Sequence, residues 1–117
     1  MACSTYNFPS HTKGDTFDGV EFTLLVNSTL VDLTGAIILM DLRLEKDGAK
    51  IEEFTSVGDA NITISSPGTL GVFTFNNQTI DVTAARYYYD IEIEFQDGTK
   101  KTYIRGTWQI TQDVTYE

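Results

Sequence analysis

The chain has 117 residues, with 17 acidic against 8 basic side chains and a formal net charge of −9. That length fits one domain able to bury roughly 65% of the surface its unfolded chain exposes, and a hydrophobic share of 41% with a mean hydropathy of −0.15 excludes wholesale disorder. So acidic a field repels phosphate backbones and anionic membranes, and no basic stripe in the sequence offsets it, so neither nucleic acid nor membrane is an expected partner.

The first stretch, MACSTYNFPSHTK, reads as a flexible polar arm over residues 1–13. It lacks the charged and apolar regions of a signal peptide, so the chain is expected to be made in a cytoplasm and to reach its place of work without one. No apolar run approaches the roughly 18 residues of a membrane span. Cys3 is the sole cysteine, so no internal disulfide forms and the core alone must hold the fold. His11, the sole histidine, falls in the same arm. A catalytic base needs a third group to hold it near a nucleophile, so His11 reads as a solvated residue.

The domain proper is expected over residues 14–114, with a tail at 115–117. It opens on GDTFDGVE, where Asp15, Asp18 and Glu21 come close enough in sequence to raise the question of calcium. Their spacing departs from the EF-hand loop, and a turn is the simpler reading. Strand signals follow at 19–27, 36–45, 50–55, 61–65, 69–76, 86–96 and 99–111, each closed by Gly, Asn, Asp or Pro. The segment 79–85 is either one helical turn or a loop crossing between sheets. No stretch sustains a helical period, and the pattern predicts an antiparallel immunoglobulin-like β-sandwich of about seven to nine strands.

The last two strands form the clearest unit. A two-residue type I′ turn at Asp97-Gly98 pairs Gln96 with Thr99, Glu94 with Lys101, Ile91 with Ile104 and Asp90 with Arg105. Opposite charges then meet outside and apolar groups inside, and a one-residue slip breaks both patterns. Tyr87, Tyr89, Ile91, Ile93 and Phe95 face inward, with Tyr89 covering Gly106 and Tyr87 opposite Trp108. Tyr88, Tyr103 and Arg105 are left outward as the candidate partner-facing residues.

Catalysis finds no foothold in the motifs. Asp90, Glu92 and Glu94 alternate along one strand and point to water, unlike the two acids a glycosidase places across a cleft. No phosphate-binding glycine loop, Cys-His cluster or nucleophile elbow is present. The Asn-x-Ser/Thr triplets beginning at Asn27, Asn61 and Asn77 are chance occurrences outside a secretory pathway.

Four features recur in a known order: GDT before the first long strand, LTGA before the second, GVF at Gly71, and the closing hairpin DGTKKTYIRGTWQI. Over residues 13–114 the chain resembles a small β-sandwich domain of tailed-bacteriophage virions, and is similar to the N-terminal domain of the phage baseplate upper protein family. The resemblance implies a non-enzymatic structural protein of the virion, a head decoration, fibre-anchoring or baseplate and tail accessory part, made in the bacterial host cytoplasm. It carries no catalytic residue over, and implies other virion structural proteins as partners and a homo-oligomer or multi-copy assembly; with none of the motifs above present, no cofactor is expected. The alternative is a carbohydrate-binding sandwich in which Tyr88 and Tyr103 stack on sugar.

Overall fold

The computed structural model describes residues 4–46 and 48–112, so Cys3 and the expected tail at 115–117 lie outside the described residues. The chain begins with three two-residue strands, β1 (Ser4–Thr5), β2 (His11–Thr12) and β3 (Thr16–Phe17). Next come β4 (Val20–Thr23), β5 (Leu25–Val26), β6 (Thr29–Leu30), β7 (Ile37–Arg43) and β8 (Lys50–Thr55). The series ends with β9 (Ile62–Ile64), β10 (Val72–Phe75), β11 (Gln78–Thr79), β12 (Ala85–Glu94) and β13 (Lys100–Thr111).

Two sheets face each other. The larger runs β1-β13-β12-β7-β8, with β2 also on β13, and the smaller runs β4-β10-β9. Alternation along each strand fixes its faces: Ile38, Met40 and Leu42 of β7 are buried, while Leu39, Asp41 and Arg43 between them point outward. The inner residues of both sheets form one core, in which Phe75 of β10 meets Trp108 of β13 at 5.9 Å between ring centres and Phe54 of β8 at 5.0 Å. The chain passes from the large sheet to the small one after β8 and returns after β10, as in an immunoglobulin-like β-sandwich.

A second hallmark sits at the return. The Tyr87 hydroxyl donates to the Thr83 carbonyl four residues upstream, where the chain enters β12, the tyrosine corner of immunoglobulin-like domains. Antibody domains brace their sheets with a disulfide and a tryptophan on the third strand. Here the fully buried tryptophan is Trp108 on the last strand, and its indole N–H donates to the Pro9 carbonyl at 3.1 Å.

That bond belongs to a correction. The segment expected to be a flexible arm is part of the sandwich from Ser4 onward: β1 and β2 run parallel to β13, and Phe8 is buried, stacked on Trp108 with ring centres 4.6 Å apart. His11 is likewise no solvated arm residue. Its Nε2–H donates to the Asp15 carbonyl at 2.9 Å and its ring packs edge-on against Phe17. Ser4, Thr5, Asn7, Ser10, Thr12 and Pro9 hid these two strands, because a two-residue bridge carries no alternation to read.

The expected strands are present, with 50–55 at its predicted limits, but the first breaks at Leu24 and turns through Asn27-Ser28 into β6, and 69–76 is shortened to Val72–Phe75 by a 3-10 turn at Gly68–Leu70. Residues 79–85 form no helical turn; they lead from β11 across to β12.

The closing hairpin departs from expectation only near its turn. The Gly98 amide donates to the Phe95 carbonyl and the Phe95 amide to the Thr99 carbonyl, so the loop holds three residues, with Gly98 at φ 91°. This is a type I turn followed by a glycine bulge in place of the two-residue type I′ turn. Glu94 therefore faces Lys100 and Ile93 faces Lys101, until a bulge at Tyr103 restores the predicted pairing of Ile91 with Ile104 and all pairs beyond.

Candidate functional site

The outer face of the large sheet carries a concavity of about 680 Å³. It crosses four strands in the order β1, β13, β12, β7, with Thr5 and Asn7 at one side and Arg43 and Lys46 at the other. Tyr88 sits at its centre, as pairing dictates. On β7 its direct neighbour is Arg43, on β13 it is Thr107, and the residues two positions either side on its own strand are Arg86 and Asp90. Lys46, from the turn after β7, holds its ammonium 5.7 Å from the centre of the Tyr88 ring, a cation–π contact.

Charge is segregated here. The lining holds Arg43, Lys46, Arg86 and Arg105, half of the eight basic residues of the chain, against the single carboxylate of Asp90. The rest of the chain carries four basic residues against sixteen acidic ones. A local excess of positive charge on an acidic molecule is a focused attractive field for anionic groups.

Arg43 is held in place from two sides, donating to the Asp41 carboxylate at 3.0 Å and to the Gly48 carbonyl at 2.9 Å. Asp41 also lies 3.6 Å from the Lys50 ammonium through its other oxygen, which is buried and accepts no hydrogen bond among the described residues. Asp90 stands directly opposite Asp41 on one side and Arg105 on the other. Burial raises its carboxyl pKa, and the Asp41 charge adds to that rise, while Arg43, Arg105 and Lys50 oppose it.

The three partner-facing candidates separate. Tyr88 and Arg105 line the concavity together, as their outward positions predict. Tyr103 does not join them: it is 8% exposed and its ring packs edge-on against Phe95 at 6.3 Å. The physical reason is the bulge, which turns Tyr103 and Ile104 both to the core side where strict alternation places Tyr103 outside. The sequence reading missed Arg43, Lys46 and Arg86. Arg86 stands two positions before Tyr88 on the same outward face of β12 and is readable from alternation alone, whereas bringing Arg43 to Tyr88 needs the pairing of β7 with β12, which lie more than forty positions apart.

Elsewhere the acidic loop stays open. Asp15 and Asp18 are exposed, and among the described residues no three His, Cys, Asp or Glu side chains stand close enough to share a metal ion.

No protein-family model and no curated protein sequence matches the chain. Among solved structures it is similar to CopC from Methylosinus trichosporium OB3b, at 8% identity and a TM-score of 0.43 over 92% of this chain and 89% of that one. Murine CRIg aligns at 15% identity and a TM-score of 0.34 over 90% of this chain and 91% of that one. Extracellular domains 3–5 of Drosophila OTK align at 14% and 0.34, covering 92% of this chain and 33% of that one.

Proposed function

We propose that the chain is a non-enzymatic structural protein of a tailed-phage virion, a head decoration, fibre-anchoring or baseplate and tail accessory protein, that acts through protein–protein interfaces. The observation that carries the interface role is the cationic concavity around Tyr88 and Arg105, on an outer sheet face that the fold itself leaves uncovered. A half-buried tyrosine ringed by arginines is the residue mix enriched at the centres of protein interfaces. The virion setting rests on the ordered GDT, LTGA, GVF and DGTKKTYIRGTWQI motifs. In that setting the chain is present in many copies beside other virion proteins.

The test is sedimentation of purified particles from a lysate of the phage that encodes the chain, followed by mass spectrometry. The chain is expected in the particle band at a fixed ratio to the major capsid protein. Its confinement to the soluble fraction would end this reading.

One observation favours a second reading, a carbohydrate-binding module. Tyr88 shares the concavity with Thr5, Asn7 and Asp90, polar side chains of the kind that hydrogen-bond hydroxyls at the edge of a stacked sugar. Only Tyr88 remains for stacking, since Tyr103 is buried. Binding on a glycan array that disappears with Tyr88→Ala would support this reading, and an array without signal would dispose of it.

A further inference from the structure

We infer that the concavity around Tyr88 takes an extended, carboxylate-bearing segment of a partner protein, laid across the strands of the large sheet. The inference rests on the interface reading of this site and adds the chemistry of the partner.

Three observations converge on it. The first is sign: four cations and one carboxylate line the site, and the cations stay in excess even with Arg43 paired to Asp41, whereas the rest of the chain holds sixteen acidic residues against four basic ones. Only a short anion profits from that arrangement. A long polyanion such as nucleic acid extends beyond the site onto like charge, which repels it.

The second is size. The site spans β1, β13, β12 and β7, three interstrand steps of about 4.8 Å, or roughly 14 Å in all. About four extended residues cover that length at roughly 3.4 Å each.

The third is the arrangement of the cations about the ring. Arg43 is directly across from Tyr88, Arg86 is two positions before it, and Lys46 lies over its face. Arginine and lysine donors form charge-assisted hydrogen bonds with carboxylates, and Tyr88, with Lys46 over its ring, supplies aromatic surface between them. Arg43 is already oriented by Asp41 and the Gly48 carbonyl, so it enters the complex with little freedom left to lose.

The experiment is a titration of the ¹⁵N-labelled full chain, at low salt, with a hexaglutamate peptide. Inorganic phosphate and trigalacturonate form parallel arms. Hexaglutamate is expected to give saturable amide shifts centred on Tyr88, Arg105, Gly106 and Thr107, and to bind at least tenfold more weakly in 0.5 M salt. The double variant Lys46→Glu/Arg86→Glu, both at exposed positions, is expected to lose at least tenfold in affinity with its fold intact by circular dichroism. Lys100→Glu, on the same sheet but outside the concavity, is the control and stays within twofold. An absence of saturable shifts, equal weakening by Lys100→Glu, or tighter binding of phosphate or trigalacturonate than of the peptide would overturn the inference. Failure here leaves particle sedimentation as a separate readout. A chain that binds the peptide yet never sediments with particles fails the virion reading alone.

Discussion

The carbonyl of Tyr6 occupies the space in which a side chain at position 106 would begin, and the hydroxyl of Tyr89 donates to that same carbonyl. Gly106 thus admits the N-terminal strand to the sheet, and Tyr89, its partner across the ladder, ties the strand down. Gly106→Ala is expected to cost about 1–3 kcal/mol, the usual range for forcing an atom into a packed site. Urea unfolding measures the loss. Hydrogen exchange localises it, with the amides of Tyr6 and Phe8, which donate to the Arg105 and Thr107 carbonyls, exchanging faster.

The two tyrosines first grouped as partner-facing are expected to part company. Tyr103→Ala empties a core position and costs about 3 kcal/mol or more, whereas Tyr88→Ala on the outer face stays within about 0.5–1 kcal/mol. Equal costs in chemical denaturation would contradict the bulge at Tyr103.

Removing single hydroxyls isolates the two buried tyrosine bonds. Tyr87→Phe and Tyr89→Phe each leave a carbonyl without its donor, at Thr83 and Tyr6 respectively, and are each expected to cost about 1–2 kcal/mol. Thermal melts of the two variants and the parent give the values.

Burial raises the phenol pKa of Tyr87, Tyr89 and Tyr103, and for Tyr89 the neighbouring Tyr6 adds to the rise. A group held protonated by folding contributes fully below its unfolded value, about 10, and loses that contribution as pH rises past it. Stability is therefore expected to fall above pH 10. Ultraviolet absorbance of phenolate should show these three rings ionising together with unfolding.

Asp90 follows the same sign for a carboxyl. Its folded pKa lies above the ordinary value, so its contribution is complete below about pH 3.9 and is lost as pH rises through the folded pKa. Asp90→Asn is accordingly expected to unfold at higher urea than the parent at pH 7, with the difference closing at pH 3. An unchanged difference across that range would contradict the burial of Asp90 beside Asp41.

Much of this was legible in the sequence because β-alternation is local. Tyr87, Tyr89, Ile91 and Ile93 read as core from period alone, and the pairs from Ile91 with Ile104 out to Tyr87 with Trp108 followed from charge and apolar matching. Two compensating irregularities escaped. The turn holds one residue more than Asp97-Gly98 suggests, and the bulge at Tyr103 takes the slip back, so neither leaves a trace in the outer pairing. The N-terminal strand was invisible for a different reason. Its anchors, Phe8 and the Tyr6 carbonyl, act on Trp108 and Gly106 some hundred positions away, and nothing local in MACSTYNFPSHTK encodes that contact. The candidate site was half legible: Tyr88 and Arg105 stood out as outward residues, while the cations supplied by β7 and its following turn depend on which strand lies beside β12.

Quantitative mass spectrometry of gradient-purified virions tests whether the Tyr88 face docks the chain in an assembled particle. Particles are grown with the parent chain or with Lys46→Glu/Arg86→Glu. The parent is expected at a fixed copy number per particle, and the double variant reduced at least tenfold while remaining folded in the soluble fraction. Equal incorporation of the two, or absence of both from the particles, would contradict it.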